Sequence, residues 1–247
     1  CILHELPINL QNGLVAWYPF CGNANDKSGN GNHGTVYEAT LSTDRLGNTQ
    51  SAYNFDISDA PSWGALDDKI DVPYNSSMSV NEITMSAWVF METKQPPFNN
   101  RNSTIFSRWT DGISNETFRF YIDYQSNELE WYVMDINTQG YSVVGGYIPF
   151  NQWTHVTVTY NGDTAKIYIN GILSHTQYLG INISQGQSDL TIGVTEMSNG
   201  HWYYWDGKLD ELGYWNRSLT SQEIQQLYSG SSSSTSNISW STGDATA

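Results

Sequence analysis

The stretch QWTHVTVTYNGDTAKIYINGIL, residues 152–173, alternates apolar and polar residues and carries two Asn-Gly pairs. Because successive side chains of a β-strand point to opposite sides, residues 153–160 predict a strand with two distinct faces. One face is predicted to lie in the core and carries Val156, Val158 and Tyr160. The other is predicted to be semi-exposed and carries Trp153, His155, Thr157 and Thr159.

The two Asn-Gly pairs, at residues 161–162 and 170–171, are hairpin turn signals. They predict that three consecutive strands run antiparallel as a meander. Short alternating runs such as TFRFYIDY, residues 117–124, recur between Gly, Asn and Asp clusters. That pattern is typical of a β-sandwich, so the sequence predicts an all-β fold.

The C-terminal part contains the one predicted helix. Residues 221–228 have helical spacing, and either Ser218 or Thr220 can serve as the N-cap. The run SSSSTS, residues 231–236, is typical of a flexible linker. Residues 237–247 are therefore expected to be a tail or the beginning of a further repeat.

The composition suits one large domain with an acidic surface. The 247 residues include 10 Lys and Arg against 25 Asp and Glu, which gives a formal net charge of −15. Such a charge repels nucleic acids and anionic membranes, so neither is predicted as a partner. The two cysteines, Cys1 and Cys21, are too few for a disulfide framework, and a bridge between them is possible without being implied. No apolar run reaches the length that spans a membrane.

The stretch NANDKSGNGNHG, residues 23–34, resembles the opening of a calcium-binding loop. Asp26, Ser28 and Asn30 occupy alternate positions, and Gly31 follows. An EF-hand loop has this arrangement but ends in a carboxylate at its twelfth position, where this chain has Tyr37. The stretch is therefore either a calcium loop completed from elsewhere in the chain or a polar turn without a metal.

A series of motifs in order along the chain resembles the LamG-like jelly-roll domains of the concanavalin A-like superfamily. The resemblance implies a two-sheet antiparallel jelly-roll β-sandwich at residues 13–230, preceded by an extension at residues 1–12. In the tail, SWSTGDATA resembles the beginning of an immunoglobulin-like repeat of multidomain surface proteins of Bacteroidota. The motifs that carry the main resemblance are GLVAWYPF (13–20), DRLGNTQSAYNFD (44–56), KIDVP (69–73), ITMSAWV (83–89), QWTHVTVTYNG (152–162), AKIYINGIL (165–173) and GKLDELGYWNRSLTSQEIQQLY (207–228).

The same resemblance implies how the calcium loop would be completed. In such jelly rolls the first and last strands lie side by side, which would bring Asp210 to the loop as the missing carboxylate. A structural calcium ion is then expected, with Asp26 and Asp210 as side-chain ligands. Weaker expected ligands, acting through backbone carbonyls, are Asn30, Asn32 and His33.

Ten Trp and sixteen Tyr are unusually many for a chain of this length. Aromatic rings bind the flat apolar faces of sugars, and tryptophans outside the motif strands are the best candidates for this role. Local packing is an equally good interpretation of each residue taken singly. The predicted ligand-binding residues are Trp63, Trp109, Tyr124, Trp131, Trp202 and Tyr203.

Catalytic residues are not predicted. The Glu-x-Asp-x-x-Glu signature of retaining hydrolases is absent, and the nearest pair is Glu128 and Glu130 on one strand face. Residues two positions apart on a strand are separated by about 7 Å. That distance permits catalysis by two carboxylates without indicating it.

The sequence therefore predicts a non-catalytic carbohydrate-binding module of a larger secreted or cell-surface bacterial protein. It is expected to be a calcium-stabilised monomer whose partner is a polysaccharide or glycan. Two alternatives stay open: a protein-binding adhesion module, and a polysaccharide-cleaving enzyme that uses Glu128 and Glu130.

Overall fold

The computed structural model describes residues 6–57, 68–92, 102–109, 116–197 and 202–230. Within these ranges two helices occur, α1 (Ile8–Gln11) and α2 (Ser221–Ser229), with a 3-10 turn at Ser76–Met78. The strands are β1 (Leu14–Tyr18), β2 (Thr35–Tyr37), β3 (Thr40–Ser42), β4 (Ala52–Phe55), β5 (Lys69–Val72), β6 (Ile83–Met91), β7 (Ser103–Arg108), β8 (Phe118–Ile122), β9 (Glu128–Met134), β10 (Gly140–Tyr147), β11 (Trp153–Tyr160), β12 (Thr164–Ile169), β13 (Ile172–Tyr178), β14 (Leu190–Ile192), β15 (Val194–Glu196), β16 (Trp202–Tyr204) and β17 (Gly207–Trp215).

Two antiparallel sheets pack face to face as a jelly-roll sandwich, which confirms the predicted fold class. The back sheet has the order β13-β12-β11-β6-β17-β4-β3, and β1 also pairs with β17. The front sheet has the order β10-β9-β8-β7-β14-β5-β2. A separate hairpin, β15-β16, contacts β7 of the front sheet.

The predicted meander is confirmed, since β11, β12 and β13 are consecutive antiparallel neighbours in the back sheet. Asn170, in the turn between β12 and β13, has a φ of 50°, and the following Gly171 has a φ of 75°. This left-handed backbone is the conformation that Asn-Gly turns supply at low cost. The local sequence therefore fixes this part of the fold.

The two faces of β11 differ from the prediction in one respect. Val156, Val158 and Tyr160 lie in the main core, as expected. The opposite face is largely buried rather than semi-exposed. The His155 ring lies 6.1 Å from that of Tyr228 of α2 and 5.3 Å from that of Trp88 on the neighbouring strand β6. On that face only Trp153 is partly exposed.

Helix α2 begins at Ser221, and Thr220 rather than Ser218 is its N-cap. The Thr220 hydroxyl accepts from the Glu223 N–H, and the Glu223 carboxylate accepts from the Thr220 N–H, which is a complete capping box. The helix packs on the outer face of the back sheet and forms a second core there. The buried members of this core are Leu10, Trp17, Tyr168, Trp215, Leu219, Ile224 and Leu227.

Residues 6–12 of the predicted N-terminal extension thus join the domain, since Leu10 of α1 is fully buried. Cys21 is disulfide-bonded, whereas Cys1, the other cysteine of the chain, lies outside the described residues. The predicted linker and tail, residues 231–247, also lie outside them. Neither helix in the described ranges is long and apolar enough to cross a membrane.

In the front sheet, β8 and β9 alternate strictly between the two faces. Phe118, Phe120 and Ile122 of β8 point into the main core, and so do Leu129, Trp131 and Val133 of β9. The residues between them face outward. The outer face of the front sheet therefore receives Arg119, Tyr121, Glu128, Glu130 and Tyr132.

Candidate functional site

Four aromatic rings surround one arginine on the outer face of the front sheet. The guanidinium carbon of Arg119 lies 4.5 Å from the ring centroid of Trp109 and 4.7 Å from that of Tyr132. The corresponding distances to Tyr121 and Tyr203 are 5.5 and 5.9 Å. All four lie within the range of cation–π attraction. We call these five residues the Arg119 cluster.

Strand register and one hairpin bring the Arg119 cluster together. Arg119 and Tyr132 are directly opposite each other in the β8-β9 pair. Tyr203 lies opposite Thr195 in the β15-β16 hairpin. The Thr195 hydroxyl is hydrogen-bonded to the Thr104 hydroxyl of β7 at 3.0 Å, which holds this hairpin against the front sheet.

A carboxylate sits beside the cluster but is already engaged. Glu130 accepts a hydrogen bond from the Ser142 hydroxyl and another from Tyr121. Burial raises the pKa of Tyr121 above its ordinary value, and the charge and hydrogen bond of Glu130 raise it further. The phenol therefore stays protonated and continues to donate to Glu130.

Two donors in the cluster lack acceptors. Arg119 Nε and Trp109 Nε1 are buried, and no described residue accepts a hydrogen bond from either. A buried donor without a partner costs about 1 to 3 kcal/mol, so such groups usually have a partner in the functional state. Aromatic faces next to unused donors match a sugar ring, which offers apolar C–H faces and oxygen acceptors.

The structure brings two of the predicted ligand residues, Trp109 and Tyr203, into this cluster. Their role in binding a ligand stays a prediction. For Trp131 the prediction is wrong: this side chain is fully buried in the main core, with its ring 5.7 Å from that of Tyr160 in the opposite sheet. A ligand on the surface cannot reach it.

The other predicted ligand residues are not placed in the cluster. Tyr124 is 39% exposed in the turn after β8, where its hydroxyl accepts a hydrogen bond from Gln125. The backbone of Trp202 pairs with Glu196, but its side chain lies outside the description, and Trp63 lies outside the described residues altogether.

Arg119, Tyr121 and Tyr132 are cluster members that the sequence analysis missed. In FRFYI the apolar residues alternate with Arg119 and Tyr121, which marks those two as outward-facing. In ELEWYVM the same alternation assigns Tyr132 to the outer face. The signal was present, but the identity of the neighbouring strands was needed to show that these side chains meet.

The predicted calcium loop is closed by its own hydrogen bonds. The Asp26 carboxylate accepts from the backbone N–H groups of Trp17, Ser28 and Asn32 at 2.8 to 3.0 Å. It also accepts from the Ser28 hydroxyl at 2.8 Å. The His33 Nδ1 accepts from the Asp26 N–H at 3.2 Å. A carboxylate has about four lone-pair sites, and here all four are used.

Further contacts tie the loop to β1. The side-chain amides of Asn30 and Asn32 donate to the Val15 carbonyl at 3.1 and 2.8 Å. The Tyr18 hydroxyl donates to the Asn32 carbonyl at 2.6 Å. The loop is thus pinned by hydrogen bonds to its own preceding strand, and calcium binding by this loop stays a prediction.

The second expected calcium ligand, Asp210, has different partners. Although β1 does lie beside β17, the Asp210 carboxylate lies 3.5 Å from Arg45 Nη1 and accepts from the Glu211 N–H at 2.7 Å. The charges that act on Asp210 come from Glu211, Arg45 and Asp44. The structure therefore does not bring Asp26 and Asp210 together as a pair of ligands. In the ranges that the structure describes, no group of three or more His, Cys, Asp or Glu residues could hold a metal.

Removing calcium is expected to leave the melting temperature unchanged, because the four hydrogen bonds that Asp26 accepts already hold the loop. If the loop did bind calcium, a free calcium concentration of about 100 times the Kd would raise the free energy of unfolding by about 2.7 kcal/mol. For a domain of this size that would raise the melting temperature by about 5 to 10 °C. Thermal unfolding followed by circular dichroism in calcium and in EDTA measures this difference. A melting temperature that is higher by that amount in calcium than in EDTA, with no such difference in an Asp26→Asn variant, would contradict this expectation and support the predicted calcium site.

Arg45 and Asp210 belong to a stack on the outer face of the back sheet. The Arg45 guanidinium carbon lies 4.3 Å from the Trp88 ring centroid, and the Tyr228 ring of α2 stacks on the same indole at 5.6 Å. A cavity of about 560 Å³ opens beside this stack and is also lined by Trp153. This sheet provides a second aromatic surface, on the opposite side of the sandwich from the Arg119 cluster.

Comparison with known families gives one match. The sequence profile of a family described as "Concanavalin A-like lectin/glucanases superfamily" matches residues 64–225. No curated protein matches the chain.

Several solved structures share the fold. The binding domain of Paraclostridial Mosquitocidal Protein 1 has a TM-score of 0.70 at 16% identity, over 89% of this chain and 52% of that chain. The botulinum neurotoxin serotype D ligand binding domain, in complex with N-acetylneuraminic acid, has a TM-score of 0.67 at 18% identity. The match covers 90% of this chain and 52% of that chain. Domain 4 of AbnA, a GH43 extracellular arabinanase from Geobacillus stearothermophilus, in complex with arabinotriose, has a TM-score of 0.63 at 20% identity, over 87% and 98%.

The chain thus spans about half the length of the toxin binding domains and nearly all of the arabinanase domain. Identities this low show a shared fold alone.

Proposed function

Because the chain belongs to the concanavalin A-like lectin/glucanase superfamily, we propose that it is a non-catalytic carbohydrate-binding module that works through the Arg119 cluster. The observation that carries the proposal is the set of four rings on an outer sheet face around two donors that have no acceptor among the described residues. Tyr132 and Tyr203 are the partly exposed rings of this set, whereas Trp109 and Tyr121 are only 8% and 6% exposed. A rigid exposed ring stacks on a sugar ring at little cost in conformational entropy.

The similar structures support this proposal at the level of the fold. They include binding domains, and two of them hold a sugar, N-acetylneuraminic acid in one and arabinotriose in the other. The toxin and arabinanase domains are parts of larger proteins. We therefore infer a monomeric module of a longer secreted or cell-surface protein, consistent with its strongly acidic composition.

The alternative of a polysaccharide-cleaving enzyme is less well supported. Glu128 and Glu130 share the outer face of β9, as predicted. Glu130, however, is bound by the Ser142 and Tyr121 hydroxyls, which fix it as a neighbour of the cluster. We infer that this carboxylate orients the Tyr121 ring.

A glycan array probed with the full chain and two matched tryptophan variants tests the proposed function. Trp109→Ala removes a ring from the Arg119 cluster and is expected to weaken binding at least tenfold, about 1.4 kcal/mol. Trp153→Ala removes a half-buried ring from the back sheet and is expected to leave binding unchanged. Circular dichroism checks that both variants fold.

Two results would contradict the proposal. The absence of any saccharide hit would exclude a carbohydrate module that uses either face. If wild type and Trp109→Ala bound sugar with equal affinity and Trp153→Ala lost binding, the sugar site would lie in the cavity of the back sheet rather than at the Arg119 cluster.

A further inference from the structure

Arg119 differs from the other arginines of the structure in what it contacts. Arg45 lies between Asp210 and Glu211, at 3.5 and 3.1 Å, and Arg217 is paired with Glu223 at 2.6 Å. The buried Arg108 guanidinium donates to the carbonyls of residues 78, 186 and 188. For Arg119, no partner carboxylate and no hydrogen-bond acceptor occurs among the residues that the structure describes.

The surroundings of Arg119 leave part of its chemistry unused. The four rings stabilise the positive charge through their electron-rich faces. The guanidinium also has five N–H donors in a planar fork, and aromatic rings are poor acceptors for them. In a chain with a net charge of −15, this half-buried cation without a carboxylate is chemically unusual.

A second unused donor lies next to it. The ring centroid of Trp109 lies 4.5 Å from the Arg119 guanidinium carbon, and its buried Nε1–H has no acceptor in the part of the chain that the structure describes. A half-buried guanidinium with unused N–H donors calls for a ligand group with at least two acceptor oxygens. A carboxylate has this geometry, because its two oxygens match the guanidinium fork.

We propose that the Arg119 cluster recognises a carboxylate-bearing sugar, such as a uronic acid or a sialic acid. The carboxylate binds the Nη groups of the Arg119 fork, and the sugar ring stacks on the exposed part of Tyr132. This inference rests on the proposed carbohydrate-binding function and adds the class of ligand.

The negative charge of Glu130 beside the cluster does not prevent such binding. Glu130 is held by hydrogen bonds from Ser142 and Tyr121, and both donors reduce the charge that it presents to a ligand. The opposing charge of the whole chain acts over longer distances and is screened within about 8 Å at physiological ionic strength. The short-range contact with Arg119 therefore decides the specificity.

The test compares matched acidic and neutral sugars on the full chain. The probes are sialyllactose against lactose and galacturonic acid oligomers against galactose oligomers, with sulfated galactose oligomers as a third arm. Isothermal titration calorimetry of wild type is expected to show at least tenfold tighter binding to the carboxylated member of one pair. Arg119→Gln is expected to abolish that preference, and Arg119→Lys to keep part of it, because lysine preserves the charge without the fork.

Lys208→Gln is the matched control. Lys208 also places its cation over an aromatic ring, 5.3 Å from the centroid of Phe90, but it lies on β17 in the back sheet. Its replacement is expected to leave the preference for the acidic sugar unchanged. Melting curves of all three variants show whether each has folded.

The outcomes separate this inference from the proposed function. Binding of neutral and acidic sugars with equal affinity would overturn the carboxylate specificity and leave the carbohydrate module standing. Binding of the sulfated arm alone would also overturn it, and would assign the cluster to sulfate. A complete lack of binding to sugars would overturn both proposals.

Discussion

Trp131→Ala is expected to lower the free energy of unfolding by about 3 to 5 kcal/mol, because it leaves a large cavity between the two sheets. The side chain is fully buried and packs towards Tyr160 of the back sheet. For a domain of this size the loss corresponds to a fall in melting temperature of about 6 to 20 °C. Thermal and urea unfolding, followed by tryptophan fluorescence, measure it.

The neighbouring Tyr132 provides the control for Trp131. The two residues are adjacent in β9 but point to opposite faces, one into the core and one towards the Arg119 cluster. Tyr132→Ala is expected to weaken sugar binding about tenfold and to cost less stability than Trp131→Ala. If both variants lost the same stability, the assignment of Trp131 to the core and Tyr132 to the surface would be contradicted.

The domain is expected to lose stability as the pH rises from about 6.5 to 8. Burial and the negative charge of Glu211 raise the pKa of Asp210 to about 8, against the opposing effect of Arg45. A carboxyl group whose pKa is raised on folding makes its full contribution to the free energy of unfolding at pH values below its unfolded pKa of about 4. That contribution is lost as the pH rises through the folded value, by at most about 1.4 kcal/mol per pH unit.

His155 acts in the opposite direction at lower pH. Burial, with a smaller effect of the Arg45 charge, lowers the pKa of His155 to about 3. The contribution of His155 to the free energy of unfolding is complete at pH values above its unfolded pKa of about 6.5, and it is lost as the pH falls towards 3. Between pH 4 and 6.5 the two slopes cancel, so the decline caused by Asp210 emerges only above pH 6.5.

Urea unfolding at pH 5.5, 6.5, 7.5 and 8.5 tests this expectation. Asp210→Asn removes the titrating group, so its stability is expected to change less between pH 6.5 and 8.5 than that of wild type. A wild-type stability that rises over this interval, or the same fall in Asp210→Asn, would contradict the pKa of Asp210 given above.

Much of the fold could be predicted from local sequence, because the deciding interactions are local. The Asn-Gly turns and the period-two alternation determine the meander of β11, β12 and β13. The capping box of Thr220 and Glu223 sets the beginning of α2. The alternation in ELEWYVM would also have assigned Trp131 to the core, since it has the same parity as Leu129 and Val133.

The candidate site could be predicted only in part, because it depends on contacts between distant segments. Trp109 and Tyr203 were predicted as ligand residues, but their meeting with Arg119 requires the β7-β8-β9 order and the docked hairpin. The burial of His155 depends in the same way on Tyr228 of α2.

The loop at Asp26 shows a different limit. Oxygen-bearing side chains at alternate positions suit a calcium shell and also suit a network of turn hydrogen bonds. The hydrogen bonds from the neighbouring strand, such as that of the Trp17 backbone N–H to Asp26, favour the network of turn hydrogen bonds and could not be read from the loop sequence.

The position of β17 inside the back sheet constrains how the protein is made. This strand pairs with β6, β4 and β1, and its residue Asp210 lies opposite Trp88, roughly 120 residues earlier in the chain. During synthesis on a ribosome, β6 therefore has no partner on one side until almost the whole domain has emerged. Pairings this distant in sequence make folding slow, on the scale of milliseconds to seconds. Over that interval we expect the unpaired edge of β6 to be open to aggregation with other chains.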